Sequence, residues 1–273
     1  MIDPLKGYSI KASKKLGQHF LNNSDIVQKI VRATLPLKDE LVLEVGPGLG
    51  ILTQALLQEQ VQKLICVEYD SRCIDLLKAT FAAEAKKLVL LNEDAVRFNE
   101  EKLLDAGQKF IIVSNLPYNI STVLLAKWLK KIKLFKQMVL MFQKEVAERI
   151  CAQPGTKQYG ILSVLTQFLC VTRLEFCVPR AAFSPQPKVD SAVISIVPRE
   201  NLDEKLQIYE KLEFLCKTVF NKRRKTLRNS IAPILATPEE SLLSIGIDPK
   251  RRPETLSVAE FKRIVSLISL QDN

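Results

Sequence analysis

Five short apolar runs, each followed by a stretch with helical spacing, set the tightest limit on how this chain can fold. Leu41–Val45, Lys63–Val67, Leu88–Leu91, Phe110–Val113 and Gln137–Phe142 read as strands. Runs this short and this apolar suit strands buried on both faces, as in a parallel sheet covered by helices. Helical spacing follows Gly50, follows Ser71 and runs from Ser121 to Lys131. The alternation predicts an α/β fold with a mostly parallel, doubly wound sheet. Ahead of it, Ser24-Asp25 open a helix with Ile26, Val27, Ile30, Val31 and Leu35 on one face, ended by Pro36. Ile161–Cys170 reads as a buried helix, and Val171–Val178 and Ser191–Val197 as two more strands. Pro179, Pro185 and Pro187 stiffen the loop between those strands. Beyond Pro198 only helical patterns remain, at about 203–220, 224–235, 238–243 and 258–270. The expected division is a sheet domain over 1–199 with a basic N-terminal arm, and a smaller all-helical domain over 200–273.

Open parallel sheets bind ligands beyond the carboxyl ends of their strands, so the strand ends were read for chemistry. Gly46-Pro47-Gly48-Leu49-Gly50 follows the first strand. Its glycines permit a tight turn and close approach of backbone to ligand. Ile51 stands where a dinucleotide fingerprint would place its third glycine, so the turn suits a nucleoside-type ligand without a pyrophosphate. Glu68 ends the second strand at the spacing where an acid takes a ribose diol. Asp94-Ala95 follow the third, and Asp94 can accept from an adenine amine. Alone, each is explained as well by a bare turn or a solvated acid; in this order they make a nucleoside pocket. The fourth strand runs into Asn115-Leu116-Pro117-Tyr118-Asn119-Ile120-Ser121. That stretch offers an amide acceptor, carbonyls in a proline-stiffened turn, and one flat ring, which are the parts needed to hold a planar, amine-bearing base.

The formal charge of +10 favours a polyanionic partner, nucleic acid before membrane. Lys222, Arg223, Arg224, Lys225 and Arg228 crowd one short stretch. Alone, a solvated helix face explains them best; phosphate contact is favoured because the resemblance given below implies an RNA partner. Arg251-Arg252 could extend the patch. Six cysteines with no C-x-x-C spacing and a single histidine, His19, make no case for a metal. Met1–Lys6 lack a signal-type apolar stretch, and no apolar run approaches a membrane span. A reducing cytoplasm and no membrane partner are expected.

Four stretches together carry a resemblance. They are Gly17-Gln18-His19-Phe20-Leu21, Asn115–Ser121, Phe183–Ser191 and Phe220–Asn229, set beside the Glu44–Gly50 turn, Glu68 and Asp94-Ala95. From about residue 10 to 268 the chain resembles the small-subunit (16S-type) ribosomal RNA adenine N6,N6-dimethyltransferase family. The resemblance implies a Rossmann-like S-adenosylmethionine-dependent methyltransferase sheet with a smaller all-helical C-terminal domain. It implies S-adenosyl-L-methionine as methyl donor and a pre-ribosomal small subunit as partner, with two adjacent adenosines near the 3′ end of the rRNA each dimethylated. Gln18, His19 and Leu21 would cover the donor, Gly46 and Gly48 would lie against it, Glu68 would hold its ribose, and Asp94 and Ala95 its adenine. A glycine often precedes that aspartate in the family; here it is Glu93. Asn115, Leu116, Pro117 and Tyr118 would be the catalytic stretch, Asn115 also touching the donor, with Tyr118 and Phe183 closing on the two faces of the base. A monomer is expected. Two other readings share much of this pattern: a large-subunit rRNA adenine dimethyltransferase of the macrolide-resistance type, and a non-catalytic assembly or transcription factor on the same fold.

Overall fold

The computed structural model describes residues 10–34, 36–221 and 225–268. Leu35, Lys222, Arg223, Arg224 and the start Met1–Lys6 lie outside the described residues. The expected strands are present as β1 (Leu41–Val45), β2 (Lys63–Glu68), β3 (Leu88–Asn92), β4 (Phe110–Asn115), β5 (Phe135–Gln143), β6 (Cys170–Val178) and β7 (Ser191–Pro198). They form one sheet in the order β3-β2-β1-β4-β5-β7-β6. β1 to β5 run parallel, and β7 lies antiparallel to β5 with Met138 opposite Ile196. Every residue of β1 is buried, Val42 and Leu43 completely, because helices cover both faces of a central parallel strand.

The helices in the sheet region are α1 (Ser24–Arg32), α2 (Ile51–Gln58), α3 (Ser71–Thr80) and α4 (Tyr118–Lys130). α1 buries Ile26, Val27, Ile30 and Val31, and Asn23 rather than Ser24 caps it by accepting from the Ile26 N–H at 3.0 Å. α3 is capped by Asp70. α4 starts at Tyr118, three residues before the expected Ser121. Pro117, whose fixed φ and missing N–H suit the edge of a helix, directs the chain straight into the first turn. Two features were not read from the sequence. Phe20–Leu21 and Phe183–Ser184 pair as a two-residue antiparallel ribbon, too short to show alternation. Lys144–Cys151 forms α5 directly after β5.

The chain divides into two compact units, but not at residue 200 alone. Unit one holds residues 1–147 and 173–198, and unit two holds 148–172 and 199–273. The second therefore includes α6 (Ile161–Leu169) and the second half of α5. α6 packs within this unit against α8 (Tyr209–Phe220) and α11 (Val258–Val265) through an almost wholly apolar surface. Chain order concealed that partnership, since the strands β6 and β7 intervene. Phe220 links the unit's core, its ring 5.7 Å from that of Phe261 and 6.4 Å from that of Tyr159. The helix expected over 203–220 splits into α7 (Leu202–Gln207) and α8. The one expected over 224–235 spans Leu227–Ile231 as α9, and Pro233 two residues later has no N–H with which to continue it. α10 covers Pro238–Ser244.

Gly50 is the hinge by which β1 delivers the chain into α2. Its φ is +90°, and a Cβ there would lie 2.7 Å from Leu77 Cδ2 and 2.9 Å from Phe81 Cε2. Gly50→Ala adds left-handed backbone strain to overlap with a buried core, and should cost about 2–4 kcal/mol of unfolding free energy. Urea titration of the two proteins reads the difference directly.

Candidate functional site

Strand order reverses between β1 and β4. β2 and β3 are added on one side of β1, and β4 and β5 on the other. The connections leave in opposite directions, which opens a crevice at the carboxyl ends. A cavity of about 240 Å³ lies there, lined by the arm at 15–21, the turn at 44–49, Val67–Tyr69, Glu93–Ala95 and Asn115–Ile120.

The glycine turn forms one wall. Gly46 (φ +72°) and Gly48 (φ +57°) hold left-handed backbone, and a Cβ on Gly48 would come within 3.0 Å of the Phe20 ring. Without those carbons, backbone itself borders the space. Glu68, 7% exposed, accepts the Gly48 N–H at 3.2 Å on one oxygen and the Asp70 N–H at 2.8 Å on the other. Burial raises its pKa, and these backbone donors pull it partly back. The carboxylate keeps acceptor capacity for a further hydrogen bond.

Glu44 received no role from the sequence beyond its place in the turn motif, yet it lines the cavity and is 1% exposed. Thr53 Oγ1 donates to its Oε2 at 2.7 Å, and the Cys66 thiol lies 3.5 Å from the same oxygen. Burial pushes its pKa up to about 8, and the nearby Glu68 charge adds to the effect. The available signal was a lone acid within an all-apolar strand.

The arm is fastened by Gln18. Its Oε1 accepts the Ser13 N–H at 2.8 Å, and its Nε2 donates to Asp70 Oδ2 at 2.9 Å. Arg72 donates to the same carboxylate, holding Asp70 below the usual carboxylate range. Both ends of the Gln18 amide thus bond to protein, which fixes Gln18 in the cavity wall. His19 donates Nδ1–H to the Pro185 carbonyl at 2.7 Å and stacks on Tyr118, ring centroids 5.8 Å apart. Leu21 lines the cavity from the ribbon. Across the crevice, Asp94 Oδ1 caps its own turn through the Val96 N–H at 2.9 Å, and Ala95 is buried behind it. Exposed Tyr69, also missed in the sequence, adds an aromatic ring to the lining.

Asn115 sits at the end of β4. Its Nδ2 points to the His19 carbonyl in a long, 3.5 Å contact, and its Oδ1 can accept a hydrogen bond. Leu116 is 1% exposed, and the peptide bond from its carbonyl to Pro117 has no N–H to compete for acceptors. Tyr118 is fixed by a 2.5 Å hydrogen bond between its hydroxyl and Ser191 Oγ, a residue given no separate role in the sequence reading. The expected position of Phe183 is not met. It is 2% exposed, does not line the cavity and packs in the main core with Leu21 and Ala182. Ribbon pairing with Leu21 carries this apolar ring into the core. In the second unit, Lys225 and Arg228 are exposed, and Arg228 pairs with Glu239 at 2.8 Å, a contact of little strength at the surface. Arg251 is held inside its own unit by Glu260 and Thr255 and does not extend a free basic patch.

A crevice at the switch point of a doubly wound sheet, walled by a glycine turn, a buried acid and an Asn-Leu-Pro-Tyr stretch, fits the class that the comparisons show, the Rossmann-like S-adenosylmethionine-dependent methyltransferases. Within that class it belongs to the ribosomal RNA adenine dimethylase family, whose pattern spans residues 9–270. It is 41% identical over 270 residues to ribosomal RNA small subunit methyltransferase A of Agrobacterium fabrum, covering 97% of this chain and 96% of that protein. The Pseudomonas aeruginosa protein of the same name is 37% identical over 262 residues, 96% of each. Among solved structures, a dimethyladenosine transferase from Plasmodium falciparum superposes with a TM-score of 0.78 at 27% identity, over 90% of this chain and 96% of that one. The 23S rRNA methyltransferase ErmE superposes at 0.69 and 22% identity, over 91% and 99%, a likeness of fold.

Glu44 sets a pH dependence. The unfolded chain ionises it near 4.5, whereas the folded one keeps it protonated to about 8. Its contribution to stability is complete below the lower value and is lost as pH rises through the upper one. Relative to Glu44→Gln, the wild type should lose roughly 3 kcal/mol of unfolding free energy between pH 5 and pH 8. Denaturant titrations of both proteins at the two pH values measure it, and parallel pH dependences would refute it.

Proposed function

We propose that this chain dimethylates the N6 amines of two adjacent adenosines near the 3′ end of small-subunit rRNA, acting on a pre-ribosomal small subunit as a cytoplasmic monomer. The observation that carries the reading is Asn115 at the cavity end of β4, its amide nitrogen turned towards the His19 carbonyl and its oxygen able to accept. The small-subunit specificity rests on the names of relatives such as that of Agrobacterium fabrum.

The residues present fit the donor. The side-chain-free glycine wall, Glu68 with open lone pairs and the Asp94-Ala95 turn match a methionine part, a ribose and an adenine in that order. The donor supplies an electrophilic methyl on sulfur; all else falls to the protein. An adenine N6 amine is a weak nucleophile because its lone pair is delocalised into the ring. It carries no extra proton at neutral pH, so no strong base is needed. Asn115 Oδ1 and the Leu116 carbonyl accept from the amine hydrogens and favour a pyramidal nitrogen. As the nitrogen becomes positive these acceptors bind it more strongly, which lowers the barrier. Tyr118, fixed through Ser191, offers a face for stacking worth roughly 1–3 kcal/mol. A base in a duplex has to leave its stack to arrive there. Lys222, Arg223, Arg224, Lys225 and Arg228 would meet backbone phosphates, giving a steep salt dependence.

The test offers labelled S-adenosylmethionine with unmethylated small subunits, large-subunit RNA and plasmid DNA in parallel, followed by nucleoside analysis. N6,N6-dimethyladenosine should appear in the small-subunit sample alone. Asn115→Ala should lower the rate about 100-fold or more, the scale of losing one transition-state acceptor. Label in large-subunit RNA would favour the resistance-type activity, and donor binding without transfer to any RNA would favour a binding factor.

A further inference from the structure

Lys127 lies on α4, nine residues beyond Tyr118 or roughly 13 Å along the helix, where an amphipathic pattern would leave a lysine in water. Its side chain is only 18% exposed. Its ammonium has three N–H donors and three acceptors: the Ala95 carbonyl at 2.7 Å, the Phe98 carbonyl at 2.5 Å and Glu100 Oε1 at 2.7 Å. Glu100 is 2% exposed by side chain, and the same oxygen accepts the Trp128 indole N–H at 2.8 Å. Its other oxygen is buried with no hydrogen-bond partner.

A buried ion pair with an unfilled oxygen is a poor way to stabilise a fold, since well-packed apolar groups usually do as well or better. What this pair does supply is a fixed position for two carbonyls. Ala95 and Phe98 bracket the turn that Asp94 opens, and that turn is otherwise held by its own short hydrogen bonds, Phe98 N–H and Arg97 N–H to the Asp94 carbonyl. The cluster therefore ties the strand-end turn bearing Asp94 and Ala95 to the helix whose first turn bears Tyr118. Lys131, the residue that ends α4, adds a 2.6 Å hydrogen bond to Asn99.

We infer that Lys127, with Glu100, is a positioning residue for the adenine side of the donor pocket, setting donor affinity from behind the site without touching the ligand. The inference rests on the reading of the cavity as the donor site. Lys127→Met alone strands the Glu100 charge and could unfold the protein. The informative variant is Lys127→Met with Glu100→Gln, which removes both charges and keeps an acceptor for Trp128. Binding of adenosine, S-adenosylhomocysteine and S-adenosylmethionine would be measured by calorimetry, beside kcat and KM on small subunits. Affinity for all three should fall by a similar factor, about 10-fold. The value of kcat at saturating donor and the KM for RNA should stay within 2-fold. Amide exchange should quicken at Val96–Phe98 and not in β1 or β4. Wild-type affinity in the double variant would overturn the inference, as would a fall in kcat with donor affinity unchanged. Wild-type protein that binds none of the three ligands would overturn the donor-site reading, and this inference with it.

Discussion

The site depends on one topological constraint: β1 is a central strand from which the chain adds neighbours first on one side and then on the other. Parallel strands joined in that way cannot cover the crevice between β1 and β4 with their own connections. What the crevice lacks, the rest of the chain supplies. The N-terminal arm closes one side through Gln18 and Asp70, and the ribbon of Phe20–Leu21 with Phe183–Ser184 joins that arm to the loop before β7. Even the short Ser114 hydroxyl contact to the Val45 carbonyl ties the two strand ends that the topology holds apart.

The acids of this crevice show how environment divides like groups. Glu44, Glu68 and Asp70 fall within one glycine turn and one strand end. Glu44 is held neutral up to about pH 8 by burial with one hydroxyl and one thiol for company. Glu68, nearly as buried, is drawn back towards ionisation by backbone N–H groups. Asp70 is pulled below its ordinary range by Arg72 and Gln18. Burial thus raises both Glu44 and Glu68, and backbone N–H groups offset part of the rise at Glu68, so neighbouring acids differ in how readily they release a proton.

Most strand ends and their order were legible in the sequence, because buried parallel strands read as uninterrupted apolar runs and their termini are marked by Gly, Glu, Asp and Asn. What stayed hidden depended on contacts remote in sequence. The ribbon is two residues long on each side, below any detectable period. The membership of α6 in the helical unit is set by its packing on α8 and α11, which lie beyond two intervening strands in the chain. Phe183 read as a stacking ring because a motif places an aromatic residue there, and pairing with Leu21 turns it into the core. Ser191 and Lys127 carry residue types too common to single out, and only the distances to Tyr118 and Ala95 reveal them.

Those last two residues suggest how the pocket keeps its precision while its walls come from loops. Each wall is pinned to a regular element by short polar contacts: the arm through Gln18 to the cap of α3, Tyr118 through Ser191 to the start of β7, the turn at 94–98 through Lys127 to α4. Loops held only by apolar packing could slide by a rotamer without much cost, whereas a buried hydrogen bond left unmade costs about 1–3 kcal/mol. A reaction that needs nitrogen, methyl and sulfur in line loses rate steeply with small displacements. Polar pins behind an otherwise apolar crevice therefore serve alignment more than stability, each joining a wall to a helix cap, a strand or a helix rather than to another loop.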